Sequence, residues 1–102
     1  MEDPVALLVK LTFVTEKQTE FEAFERAAAA ILSDYGGSIM LTFRPADEPG
    51  VEWHVVTFPD AAAFTAYRQD KRVTALKSQR DTLITTSEII TGSLATYLTD
   101  RN

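Results

Sequence analysis

His54 is the only histidine in the 102-residue chain and the first candidate for proton transfer. Its imidazole has an unperturbed pKa near neutral pH, so in a pocket it could serve as an acid or a base. Strand alternation groups His54 with Val56 and Phe58, on the side expected to face helices, which favours a structural role over a catalytic one. A one-residue bulge in this strand would instead place His54 on the opposite face of the sheet.

Trp53 points the other way and could stack on a flat organic ligand or fill a subunit interface. Alternation gives Lys10 and Arg44 the same face as Trp53. A buried cation there needs an anionic partner, either a protein carboxylate such as Glu88 or the acid group of a ligand. Threonine hydroxyls on this face could orient the ligand's polar groups. The candidate ligand-pocket residues are therefore Lys10, Thr12, Met40, Thr42, Arg44, Trp53 and Thr57.

Other chemistries find little support. The chain has no cysteine, no second histidine to complete a metal-ligand pair, and no glycine-rich phosphate loop or Gly-x-Ser-x-Gly turn. We therefore expect no bound metal and no organic cofactor. The loop acids Asp47 and Glu48, and a glutamate series on the first helix, are predicted to be solvated surface. That series is Glu16, Glu20, Glu22 and Glu25.

Charge narrows the possible partners. A net charge of -5 and a pI near 4.7 repel nucleic acid and anionic lipid. Apolar runs such as residues 5–9 are far below the roughly 18 residues of a membrane span. We expect a cytoplasmic protein that binds neither nucleic acid nor membranes.

The elements that must position these residues follow from hydrophobic spacing. Alternation predicts strands over residues 5–14, 39–44 and 51–58, and the Ile- and Thr-rich stretch 83–91 predicts a fourth. Helical spacing of apolar residues predicts one helix over 15–35. A second helix follows Asp60 and is expected to break near Asp70.

This order, β-α-β-β-α-β, predicts an α+β, ferredoxin-like domain over residues 1–92 with a tail over 93–102. Its four-stranded antiparallel sheet would carry both helices on one face. The opposite face, which we call the bare face, is expected to expose Leu8, Met40, Trp53 and Val55. Together these side chains form a patch that is too apolar to remain exposed to water. A second copy stacked there would give a homodimer through the sheet faces, and the tail is expected to lie on the body or across the partner.

Several segments resemble the small bacterial family known as domain of unknown function thirteen-thirty, in the dimeric α/β-barrel superfamily. They are Phe21-Glu22-Ala23-Phe24, Tyr35-Gly36-Gly37, the run Val55-Val56-Thr57-Phe58-Pro59-Asp60, and the spacing of Phe64, Tyr67, Val73, Leu76 and Arg80. The sequence departs from the pattern at Thr57, where an acidic residue is common. The resemblance implies a dimeric α/β barrel. The wider superfamily includes cofactor-free monooxygenases, polyketide cyclases, lactone isomerases and haem-degrading enzymes.

These observations lead to two functional hypotheses. The first is a small homodimeric, cofactor-independent enzyme of the monooxygenase, cyclase or isomerase type, acting on a small aromatic or polyketide-like organic acid. The alternative is a non-catalytic small-molecule-binding or regulatory module. In the first hypothesis His54 is the possible acid or base, and rate would come from positioning and electrostatics.

Overall fold

The computed structural model describes residues 3–99. Its strands are β1 (Val5–Phe13), β2 (Ser38–Phe43), β3 (Val51–Phe58) and β4 (Ile84–Gly92). Its helices are α1 (Gln18–Ser33), preceded by a short 3-10 turn (Thr15–Lys17), and α2 (Ala61–Gln69), α3 (Lys71–Ala75) and α4 (Lys77–Leu83). The predicted second helix is thus a chain of three segments.

The sheet is antiparallel, with strand order β2-β3-β1-β4. This order and the β-α-β-β-α-β succession give the ferredoxin-like fold that the sequence predicted. The sheet of a single chain is open. Closing it into a barrel would need a second chain.

Alternation in β1 and β3 decides which side chains meet the helices. Leu7 pairs with Val56 and Val9 with His54 across the two strands, all on the side covered by helices. Phe21 of α1 and Phe58 of β3 are only 0% and 2% exposed. The rings of Phe13 and Phe21 stack with their centroids 4.3 Å apart. Burying side chains of this size contributes roughly 1.5–3 kcal/mol each, which fixes α1 against the sheet.

Two aspartates organise the segmented helix. Asp60 caps α2 by accepting a hydrogen bond from the Ala63 backbone N–H at 2.7 Å. Asp70 takes an extended backbone conformation between α2 and α3 and caps α3 through the Arg72 N–H. The expected break near Asp70 is confirmed.

A β-bulge in β2 overturns one expectation about the bare face. Ile39 pairs with Val56 but Leu41 pairs with Val55, so Met40 is an extra residue without a partner. A bulge shifts every later side chain to the opposite face. Thr42 therefore pairs with His54 on the helix-facing side.

The residues after the bulge exchange faces as a result. Leu41 and Phe43 take the places on the bare face that alternation gave to Met40, Thr42 and Arg44. Arg44, just beyond β2, reaches the helix-facing side and lies over the Phe13 ring. The predicted shared face is thus wrong for Thr42 and Arg44.

The segment after β4 makes little contact with the body. Leu94, Tyr97 and Leu98 are 47%, 80% and 79% exposed, so these side chains in the described part of the tail, residues 93–99, do not pack on the domain as one expectation held. Residues 1–2 of the predicted domain and 100–102 of the predicted tail lie outside the described residues.

No helix in the described part of the chain is long and apolar enough to cross a membrane.

Candidate functional site

A cavity of about 280 Å³ lies between the helices and the sheet. Its walls are mostly aliphatic and aromatic, and include Val9, Phe24, Val56, Phe64 and Leu76. Its polar and ionisable lining residues are Glu25, His54, Tyr67, Arg68 and Arg80. Apolar walls with a few convergent polar groups are typical of small-molecule sites.

His54 lies on the sheet wall of this cavity and is only 5% exposed. Its Nε2 atom is 2.6 Å from Oε2 of Glu52, a side chain that is also 5% exposed. Alternation along β3 puts both on the helix-facing side, as the sequence predicted for His54. A carboxylate on one ring nitrogen fixes the tautomer and orientation of an imidazole. The other nitrogen, Nδ1, lies 3.8 Å from Oε2 of Glu25.

Arg44 binds the carboxylate oxygen of Glu52 that does not contact His54. Its Nε donates to Oε1 of Glu52 at 2.7 Å, and its Nη2 donates to Oε2 of Glu22 at 2.9 Å. The hydrogen bond from Arg44 is the main cause that lowers the pKa of the Glu22 carboxyl. The Glu52 carboxyl is therefore held at both oxygens, by Arg44 at Oε1 and by the His54 ring at Oε2, which fixes its position beside the imidazole.

Glu25 belongs to the cavity, whereas the sequence predicted a solvated residue. Burial raises the pKa of the Glu25 carboxyl, and the negative Glu52 adds to this, while His54 and Arg80 oppose it. Tyr67 of α2 faces the same group: burial, followed by the charge of Glu25, raises the pKa of its hydroxyl. Perturbed groups gathered in one pocket are typical of functional sites.

Sequence reasoning missed four residues of this neighbourhood: Glu25, Glu52, Tyr67 and Arg80. Two of them carried a signal. Glu52 shares the core-facing parity of β3 with His54, and Glu25 lies four residues after Phe21 on the buried stripe of α1. A charged residue on a core-facing position marks either a satisfied ion pair or a site.

The bare face carries a second, more open groove lined by Leu8, Leu41, Phe43, Trp53 and Val55. Lys10 lies beside it, with Nζ 5.5 Å from the Trp53 ring centroid and 4.0 Å from Oε2 of Glu88. Two of the predicted pocket residues are thus close together, and Lys10 has the carboxylate partner that the sequence suggested.

Thr12 and Thr57 share the bare face but not one site. Thr12 pairs with Val51 and Thr57 with Ala6, at opposite ends of β3. Six residues of strand separate these ends by ~20 Å. Among the predicted pocket residues, Lys10 and Trp53 are paired directly across β1 and β3, Thr12 lies two residues from Lys10 on the same face, and Thr57 lies four residues along β3 from Trp53.

Within residues 3–99 no group of three or more His, Asp or Glu side chains is arranged to hold a metal ion.

Several solved structures share this fold. An antibiotic biosynthesis monooxygenase-like protein from Caulobacter crescentus superposes with a TM-score of 0.78 at 16% identity, over 92% of each chain. SnoaB, a cofactor-independent oxygenase from Streptomyces nogalater, gives a TM-score of 0.71 at 21% identity, covering 96% of this chain and 99% of its own. A protein of unknown function from Rhodopseudomonas palustris gives 0.75 at 16% identity, covering 93% and 85%.

No family model and no curated protein matches the chain. At these identities the similarity to solved structures establishes the ferredoxin-like fold, and function must be argued from the site.

Proposed function

We propose that the chain is a small-molecule enzyme that needs no organic cofactor or metal, with the cavity between helices and sheet as its substrate site. The observation that carries this proposal is a buried histidine, His54, on the cavity wall with its Nε2 held 2.6 Å from the buried carboxylate of Glu52. That arrangement prepares an imidazole for acid–base work. The oxygenase fold of SnoaB adds support by analogy.

The size of the cavity limits the substrate. Its 280 Å³ is about twice the ~150 Å³ of an apolar cavity that accepts benzene, which suits one or two fused rings. Arg80, which is half-buried, and Arg68, which is exposed, both line the cavity on the helix wall and would favour a ligand with an acid group, since a guanidinium forms charge-assisted hydrogen bonds with a carboxylate. A small aromatic organic acid fits both features.

The possible reactions of this cavity are those that begin with a proton transfer from the substrate. Oxygenation, cyclisation and isomerisation without a cofactor can all begin when a proton leaves a phenol, an enol or a carbon beside a carbonyl, and the resulting anion is the reactive species. In an oxygenation, dioxygen then takes four electrons from a CH2 group, which becomes C=O while the second oxygen atom leaves as water. His54 and its carboxylates would supply the first proton transfer.

The test is binding followed by turnover. A panel of hydroxylated one- and two-ring aromatic acids is titrated by calorimetry, and bound compounds are assayed for oxygen uptake and for isomerised or cyclised product. His54→Gln should lose about 100-fold or more in rate, the smallest usual contribution of a side chain positioned for proton transfer. Unchanged rates in His54→Gln would contradict the catalytic role.

A non-catalytic binding module is the second candidate. One observation favours it: no fully buried side-chain polar atom within residues 3–99 lacks a hydrogen-bond partner, so the fold leaves no buried polar atom that a reacting group would have to satisfy. In that case the panel would bind without any conversion, and His54→Gln would change only affinity.

We also propose that two copies pair through their bare faces, as in the dimeric α/β-barrel superfamily that the sequence resembles. Supporting this, Leu41, Phe43 and Ile90 are 52%, 57% and 62% exposed in the single chain. Together with Leu8, Trp53 and Val55 they form an apolar surface that a monomer would leave in water. Because the cavity lies on the other side of the sheet, pairing would leave it open to ligands.

A further inference from the structure

The two carboxylates beside His54 differ in what they can do. Glu52 contacts Nε2 at 2.6 Å and is bound by Arg44, and it does not line the cavity. Glu25 does line the cavity and faces Nδ1 at 3.8 Å. One carboxylate is therefore a structural partner of the imidazole, and the other is open to a ligand.

The distance of 3.8 Å between Nδ1 and Oε2 of Glu25 is too long for a direct hydrogen bond. It is short enough for one ligand oxygen to lie about 2.8 Å from both atoms at once. The gap is thus the size of a bridging hydroxyl, between a ring nitrogen and a carboxylate oxygen.

We propose that His54 and Glu25 form a clamp that binds one hydroxyl of a phenol or enol between Nδ1 and the carboxylate, with Glu25 taking the hydroxyl proton. This rests on the proposed function of the cavity and names the reacting group of the substrate. Glu52 and Arg44 are positioning residues, because they act on the ligand only through His54.

The proton transfer balances within the clamp. In the clamp, the His54 ring donates Nε2–H to Glu52 and Nδ1–H to the ligand oxygen. The ligand O–H bond breaks, its electron pair stays on oxygen as a phenolate or enolate, and the proton forms an O–H bond on Glu25. The imidazolium then stabilises the new anion, as a preorganised donor does for an oxyanion.

Four groups face Glu25 from the elements packed around it: His54 and Glu52 from β3, Tyr67 from α2 and Arg80 from α4. Burial outweighs the cations and raises the pKa of the Glu25 carboxyl. A carboxylate in this condition holds a proton more tightly than an exposed one, which suits it to act as a base.

The test uses 4-nitrophenol, a single-ring phenol whose phenolate absorbs at longer wavelength than the phenol. The protein is titrated with it while two signals are followed: the phenolate absorbance and the proton resonance of His54, the only histidine in the chain. Wild type should move the His54 resonance and ionise the probe. In Glu25→Gln the probe should still bind, with its apparent pKa lowered by about one unit, because the variant lacks the carboxylate charge that disfavours a phenolate beside it.

Glu20→Gln is the matched control, because it removes the same charge from the exposed side of α1 and should behave as wild type. Equal ionisation of bound nitrophenol in Glu25→Gln and wild type would overturn the clamp and leave the cavity as a binding site. A His54 resonance that nitrophenol does not move in wild type would overturn both the clamp and the cavity proposal.

Discussion

At the scale of single residues, Glu25 and Arg44 show how position changes what a charge does. Glu25 is a carboxylate kept from water beside His54, and burial raises its pKa. Arg44 instead stabilises two carboxylates, one of them buried. The charge of Glu25 lowers the stability of the fold and provides a reactive group in the cavity. The charge of Arg44 stabilises the fold and helps to orient the imidazole of His54.

Glu25→Gln should make the folded protein more stable at neutral pH, raising the melting temperature by a few degrees. Since the folded pKa of Glu25 lies above the ordinary value of 4.5, the native state binds the extra proton and stability falls as pH rises through that window. The advantage of Glu25→Gln should therefore vanish as pH falls toward the ordinary value. Thermal unfolding by circular dichroism measures this, with Glu20→Gln as control, and a less stable Glu25→Gln at neutral pH would contradict it.

Arg44→Gln should destabilise the protein by about 2 kcal/mol, because it leaves the buried Glu52 without its charged donor. Lys10→Gln is the matched control: its contact with the exposed Glu88 is 4.0 Å and should contribute at most about 1 kcal/mol. Urea unfolding of both variants gives the comparison. Equal losses would show that the Arg44 and Glu52 contact does not anchor the site.

At the scale of elements, the bulge in β2 and the break in the second helix determine what the sheet and helices position. The extra residue Met40 turns Arg44 toward Glu52 and brings Phe43 to the bare face. The break at Asp70 divides the helical cover of the cavity, so that Tyr67 of α2 and Val73 and Leu76 beyond α2 all reach it.

Much of this was predictable from sequence. Alternation in β1 and β3 placed Leu7, Val56 and His54 correctly, because paired strands with one buried face specify their own register. The bulge at Met40 was not predictable, since it is defined by pairing with β3 and leaves the composition of β2 unchanged. Glu25 was misassigned because a glutamate on a helix is usually solvated, and only the opposing His54 gives it a reason to be buried.

Asp70→Asn should lower the melting temperature at neutral pH by loosening the link between α1 and the segmented helix. Arg72 is the largest cause that holds the pKa of Asp70 well below its usual range, followed by the hydroxyl of Tyr35, which donates to Asp70 at 2.6 Å. A depressed carboxyl pKa stabilises the fold above its ordinary value of 3.8, and this stability is lost as pH falls below that value. The difference between wild type and Asp70→Asn should thus shrink in acid.

A double-mutant cycle of Asp70→Asn with Tyr35→Phe separates this contact from general effects. Additive losses would show that Tyr35 and Asp70 do not act together across the two elements.

At the scale of the whole molecule, the sheet separates two surfaces for which we propose different roles, ligand binding and pairing with a second copy. The helix-covered side holds the cavity with His54, and the bare side offers an apolar surface for a second copy. The cavity is complete within one chain, so the proposed pairing bears on stability and leaves the lining of the site unchanged.

Ile90→Lys should convert the dimer to a monomer, because a lysine within an apolar interface would be a buried, unpaired charge. Ile89→Lys is the matched control: it is the next residue of β4, similarly exposed at 54%, and it lies on the cavity side. Sedimentation should report about twice 11.3 kDa for wild type and Ile89→Lys, and a single chain for Ile90→Lys. A wild-type monomer at micromolar concentration would contradict the pairing.

The central claim is that ligands bind in the cavity beside His54 and not in the groove beside Trp53. The chain has one histidine and one tryptophan, so one nuclear magnetic resonance titration with a hydroxylated aromatic acid observes both places at once. We predict that the His54 ring resonances shift saturably while the Trp53 indole N–H stays in place. A saturable shift of Trp53 with His54 unmoved would contradict the account.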